Sequence, residues 1–191
     1  MRARRNRGRG GRIAGANPIA GAFAALLALL LAAGCWVGPD FYAAADLRPA
    51  LAPGDYRIEG ELREGRPFDF RAETASDGST RILPLSETGE PARAGFAAID
   101  GSGRHFAAWF IEPDRSGVGL RNYALLGRMR DGSYRVLGPG CERDRAAAAG
   151  AEVIANGAVC RFASRAELEA GLRRVIPQLA AGIRIVPLGR R

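Results

Sequence analysis

Lysine is missing from this chain altogether, so all 28 basic residues are arginine, and there is a single histidine, His105. Cysteine is nearly as scarce: Cys35, Cys141 and Cys160 are the three present. With one histidine and so few thiols, a protein-made zinc site has too few ligands. No HExxH, no CxxC pair, no P-loop and no GxGxxG in a βα unit occurs, which sets aside the usual hydrolytic, redox and nucleotide-binding signatures. No acidic residue precedes Asp40, and no charge of either sign lies between Arg12 and Asp40. The replacement of every lysine by arginine reads as compositional drift of the coding sequence rather than as phosphate recognition.

What is present begins with charge, and it is unevenly placed. The chain carries 28 basic against 20 acidic residues, a formal +8, with a pI near 10.6. Six of the arginines, Arg2, Arg4, Arg5, Arg7, Arg9 and Arg12, stand at the extreme N-terminus, ahead of an apolar run from Ile19 to Ala33. As a helix that run rises about 1.5 Å per residue to roughly 22 Å, short of a bilayer core of about 30 Å. A basic stretch, a short apolar segment and small residues in that order describe a secretory leader, residues 1–34. An uncleaved, tilted signal anchor using Ile13 to Pro39 is the alternative. Without the leader 22 basic residues face 20 acidic ones, a net charge of +2, and the argument from basicity to nucleic acid loses its basis.

The apolar run ends in Leu31-Ala32-Ala33-Gly34-Cys35. This resembles the lipobox of bacterial lipoproteins, with Ala32 where that family more often has leucine. The resemblance implies that Cys35 receives a diacylglyceryl group on its thiol, that the peptide is cut before it, and that Cys35 becomes the mature N-terminus. With Trp36 rather than aspartate next, it further implies an outer-membrane address facing the periplasm of a two-membrane bacterium. Ordinary secretory cleavage at the same small residues, leaving Cys35 a thiol, is the other reading.

The mature chain reads as a lipidated tether over 35–53, where periodicity is lacking, and then a single β-rich domain over 54–191. DYRIEGEL and PFDFRAE alternate apolar and charged residues, so they pair as a hairpin. Setting Leu62 opposite Phe68 leaves a three-residue loop, and it places Glu59 across from Arg71, Arg57 across from Glu73 and Glu61 across from Asp69. STRILPL, ARAGFAAID, RHFAAWFIE, GLRNYALLGRM and SYRVLG continue the pattern, with Asp77-Gly78, Asp100-Gly101 and Asp131-Gly132 as turn dipeptides. The expected fold is α+β and mainly β. About seven antiparallel strands form a meander, a barrel or half-barrel, followed by a short helix in CERDRAAAAG, a hairpin around Asn156-Gly157, an amphipathic helix opened by the Ser164–Glu167 capping box, and a last strand in IRIVPL. GDYRIEG at 54–60 and GSYRVLG at 132–138 echo one another, which shared turn-then-strand chemistry explains.

Candidates for chemistry are few. Glu61 and Asp69 form a like-charged pair that a solvated strand face with Arg63 and Arg71 nearby accounts for. His105 shares parity with Ala107, Trp109 and Ile111, which read as the inward face and suggest a core or rim histidine. Ser102, in Asp100-Gly101-Ser102-Gly103, lacks the strand-to-helix setting of a hydrolase elbow. Once Cys35 is assigned to lipid, Cys141 and Cys160 are an even pair that export would join as a disulfide. The resulting expectation is a lipid-anchored envelope protein, a binding or scaffold module with no catalytic residue, no metal and no cofactor. Its partners are the membrane and an envelope protein or small apolar ligand, and not nucleic acid. The alternatives are an inhibitor of a wall-degrading enzyme and an enzyme using Glu61, Asp69 or His105.

Overall fold

The structure, a computed structural model, describes residues 35–59, 68–85, 91–111, 120–141, 150–154 and 159–189. Among the described residues there are eleven strands: β1 (Cys35–Gly38), β2 (Gly54–Glu59), β3 (Phe68–Thr74), β4 (Thr80–Pro84), β5 (Ala92–Ala98), β6 (His105–Phe110), β7 (Arg121–Arg128), β8 (Tyr134–Leu137), β9 (Glu152–Ile154), β10 (Val159–Arg161) and β11 (Ile183–Pro187). The α-helix among the described residues, α1 (Arg165–Val175), runs on into a 3-10 turn over Ile176–Ala181. Strands β2 to β8 form the expected meander, and β11 closes it by pairing with both β2 and β8, giving an eight-stranded antiparallel barrel. The echoed segments are the two neighbours of this closing strand, since Ile185 stands opposite both Ile58 and Tyr134. Nothing local announces that pairing, which joins the end of the chain to its beginning.

The β2–β3 hairpin has a different register from the expected one. Ile58 faces Phe68 and Tyr56 faces Phe70, so the charged face pairs Asp55 with Arg71 and Arg57 with Asp69. Parity is preserved because the shift is even, and the partners change. Glu61 and the loop itself lie outside the described residues, as do the alanine-rich stretch after Cys141 and the Asn156-Gly157 turn. The β9–β10 register, Ile154 opposite Val159, is the one a two-residue turn at Asn156-Gly157 requires.

Two hydrophobic cores share one wall. Inside the barrel are Tyr56, Ile58, Phe70, Ile82, Phe96, Phe106, Leu126 and Ile185. On the outside of β5 to β7, α1 lays Leu168, Leu172, Val175 and the following Leu179 over Ala97, Ala107, Trp109, Tyr123 and Leu125. The wall between them is buried on both faces, which is why β7 reads as an unbroken apolar run from Tyr123 to Gly127. It also overturns one expectation: the parity of His105, Ala107 and Trp109 is the outer one, and Phe106, Ala108 and Phe110 point into the barrel. Where both faces are apolar, alternation cannot tell inside from outside. Helix α1 begins as expected, Ser164 Oγ accepting from Glu167 N at 3.3 Å while Glu167 Oε2 accepts from Ser164 N at 3.1 Å. Gly127 lets the 3-10 turn approach, because a Cβ there would occupy the place of the Leu179 side chain.

The 35–53 segment is not a tether. Strand β1 lies antiparallel to β7, Trp36 opposite Tyr123, and parallel to β10, extending the sheet beyond the barrel as a β1–β10–β9 wing. Trp36 is 2% exposed. Tyr42 stacks on Trp109 at 4.8 Å, and Asp46 holds Arg165 of α1 at 2.9 Å. Strand β4 pairs with β5 only as far as Thr80 opposite Ala94; beyond that point Arg48 N donates to Phe96 O, and Leu47, Ala50 and Leu51 are buried against the barrel. The anchoring side chains are spaced irregularly, so no period in the sequence reveals them.

Candidate functional site

Alternation in eight strands aims one apolar face at a common axis, and the side chains do not fill it. A cavity of about 80 Å³ remains, bounded by Ile58, Phe68, Phe70, Phe110, Val136 and Ile183 among others, and no charged or hydroxyl-bearing side chain lines it. These residues lie toward the barrel end away from the Asp77, Asp100 and Asp131 turns. At the turn end the interior is stopped by Leu51, which also lines the cavity, and by Tyr56, whose hydroxyl donates to Ala52 O at 2.8 Å. Tyr56 stands edge-on to Tyr134 at 6.1 Å. Burial, with Tyr134 nearby, pushes the Tyr56 phenol up to about 12, so it stays neutral. An unfilled apolar volume of this size costs on the order of 2 kcal/mol at about 24 cal/mol per Å³.

The outer face of β2 and β3 carries charge, and there the charge is paired. Arg57 holds Asp69 through both carboxylate oxygens, at 2.7 and 2.8 Å, and Arg71 holds Asp55 at 2.7 and 3.1 Å. These residues border a broad groove with Leu85 and Pro187. A hydrogen bond from Arg71 keeps the Asp55 carboxyl below the usual carboxylate range. Asp69 therefore faces an arginine, not a second carboxylate, and the like-charged pair with Glu61 has no counterpart in the observed register.

His105 sits at the rim of the outer core with its side chain 22% exposed, Nδ1 lying 2.5 Å from Asp100 Oδ2. Asp100 is already engaged: Ser102 donates to it from Oγ at 2.7 Å and from N at 3.1 Å. Burial works against the Asp100 charge, but the hydrogen bonds from Ser102 and His105 outweigh it and hold its carboxyl below the ordinary value. The serine points at the aspartate rather than at the histidine, so no nucleophile–base contact exists here. The same Asp-Gly-Ser arrangement recurs at Asp77–Ser79 and Asp131–Ser133, where each Ser N and Oγ again donates to the Asp. Gly78 and Gly132 take φ of +82° and +80°, whereas in the middle turn it is Gly103 that does so, at +64°. Recurrence marks a turn device, not a catalytic group. His105 on β6 and Asp69 on β3 have separate partners and share no cleft. Among the described residues no group of His, Cys, Asp and Glu could hold a metal ion.

Cys141 and Cys160 form a disulfide with Cα atoms 5.3 Å apart, tying the segment after β8 to β10. Beside it Trp36 Nε1 donates to Gly140 O at 3.3 Å and the Trp36 ring lies 4.8 Å from that of Phe162. Cys35 opens β1 alongside Val159. An aromatic cluster that the sequence does not signal, Tyr42, Trp109 and Tyr123 with Arg165 over the Tyr42 ring at 4.5 Å, fixes the 39–53 strap to the helix. Burial first, and then the Glu169 charge, drive the Tyr42 phenol far above its ordinary value. No protein-family model matches the chain, and comparison with curated proteins and with solved structures returns no match.

Proposed function

We propose that this chain is a lipid-anchored cell-envelope protein whose barrel acts as a binding module for a slender apolar ligand. The observation that carries the reading is the unfilled cavity, apolar on every side. It is small: an engineered apolar cavity of about 150 Å³ stays dry and takes up benzene, so about 80 Å³ suits the end of an alkyl chain or a compact hydrocarbon rather than a polycyclic one. With no polar lining, discrimination rests on width and length. The leader and its Leu31–Cys35 ending support the address, and the paired outer charges give no support to a hydrolytic role.

Benzene and a medium-chain alkanol, titrated while the methyl resonances of Ile58, Val136 and Ile183 are followed by NMR, test the binding. Saturable shifts confined to the barrel interior are expected. Ala108→Leu, which places three more carbon atoms among the lining residues, should abolish them and raise the melting temperature. Absence of saturable shifts in the wild type, or equal shifts in Ala108→Leu, sinks the proposal.

A further inference from the structure

Arginines on the barrel differ in their partners from place to place; Arg135 on β8, for one, donates to Gly182 O at 2.9 Å. On β2 to β5, Arg57, Arg71, Arg81 and Arg93 each take a carboxylate. At the turn end of β6 to β8, Arg104, Arg128 and Arg130 are all exposed, and none takes a carboxylate among the described residues. Two of them stand directly across from each other: Arg128 N donates to Arg104 O at 2.8 Å, and Arg104 Nη2 donates back to Arg128 O at 3.2 Å. Like charges facing across a ladder destabilise a sheet. The nearest acids cannot relieve them. Asp100 is committed to Ser102 and His105, and Asp131 to Ser133 and Arg184.

We infer that this patch docks on a membrane surface, its ligand being the anionic headgroups of phospholipids. The arginines are exposed on hairpin ends, so they suit a plane of many anions better than one enclosed anion. The second argument, which rests on the lipid-anchor reading, is geometric. Without a tether, Cys35 opens a strand paired directly to the barrel strand β7, with Trp36 opposite Tyr123. From there Arg128 is five residues along the same strand, about 17 Å at roughly 3.4 Å per residue. An acyl chain on Cys35 therefore holds the patch close to the headgroup layer, where the anchor raises its effective concentration. The barrel then stands with its turn end toward the bilayer and the Phe68–Phe110 end away from it.

The test removes the anchor so that the two readings fail separately. The Cys35→Ser chain is sedimented with vesicles of phosphatidylcholine alone and of phosphatidylcholine with phosphatidylglycerol. Binding is expected only to the anionic vesicles and should be lost in about 0.5 M salt, where the Debye length falls below the reach of a surface charge. Each arginine at an anionic surface contributes roughly fivefold in affinity, so Arg104→Gln, Arg128→Gln and Arg130→Gln together should weaken binding about a hundredfold. Arg48→Gln, Arg161→Gln and Arg174→Gln together, at three exposed arginines elsewhere, should leave it within a fewfold and control for net charge. Melting temperatures no lower than that of the Cys35→Ser chain establish that the variants fold, and loss of the Arg104–Arg128 repulsion should raise that of the triple variant. No preference for anionic vesicles, or equal losses in the two sets of variants, overturns the inference, whatever acyl labelling of Cys35 shows.

Discussion

At the scale of the residue, the aspartates of this protein serve turns and ion pairs, and pH reveals them. Hydrogen bonds from the Ser79 hydroxyl and amide, with help from Arg93, lower the Asp77 carboxyl to about 2. Asp131 is held down in the same way by Ser133 and then Arg184. A carboxyl whose folded value lies below its unfolded one, near 3.9, adds stability that is complete above that pH. The contribution is lost as the pH falls through the folded value. The melting temperature should therefore be flat from neutrality to about pH 4 and fall between about pH 4 and 2. Thermal melts of a Asp77→Asn, Asp131→Asn double variant should start lower at neutral pH and show a shallower acid limb. An identical acid limb would mean these turns are not what the protonation breaks.

At the scale of the element, the wing shows how covalent and packing constraints cooperate. Strands β9 and β10 have three residues each, too short to persist alone, and they are held by β1, by the Trp36–Phe162 contact and by the bridge between Cys141 and Cys160. The bridge closes a loop with a sequence separation of 19. Loop-closure entropy for such a length is worth about 3 kcal/mol, and for a domain this size that corresponds to a drop of roughly 6–12 °C on reduction. Alkylation under denaturing conditions checks the premise: Cys141 and Cys160 should be modified only after reduction. Modification without reduction, or a melting temperature indifferent to reductant, contradicts it. Helix α1 illustrates the opposite case, since its capping box and its Leu168, Leu172, Val175 stripe are local signals and were legible as such. The register of β2 with β3 was not. Apolar parity fixes it only to within an even shift, and alternative arginine–carboxylate pairings satisfy the charged face in either register.

At the scale of the whole molecule, the proposed address and the architecture bear on each other. If Cys35 carries lipid, the acyl chains join a strand of the sheet itself, next to the buried Trp36. Metabolic labelling with a clickable fatty acid should mark the wild-type chain and not Cys35→Ser. Equal labelling of both, or export of an unlabelled wild type, would remove the anchor while leaving the barrel and its cavity as they are. No helix among the described residues is long and apolar enough to cross a membrane, which leaves the anchor question to that experiment.

The sequence alone determined the strands from β2 onward, their turns, the capping-box helix, and the pairing of two cysteines, because each rests on alternation, on turn chemistry or on counting within a few residues. Tertiary structure decided the rest. Closure of the barrel depends on Ile185 meeting both Ile58 and Tyr134 across the length of the chain, and no local preference encodes that meeting. The outward parity of His105 follows from a helix covering β5 to β7, which makes both faces of the wall apolar and erases the sign of the alternation. The cavity is a difference between the volume the strands enclose and the volume Ile58, Phe70, Val136 and Ile183 occupy, a quantity that exists only once the ring is closed.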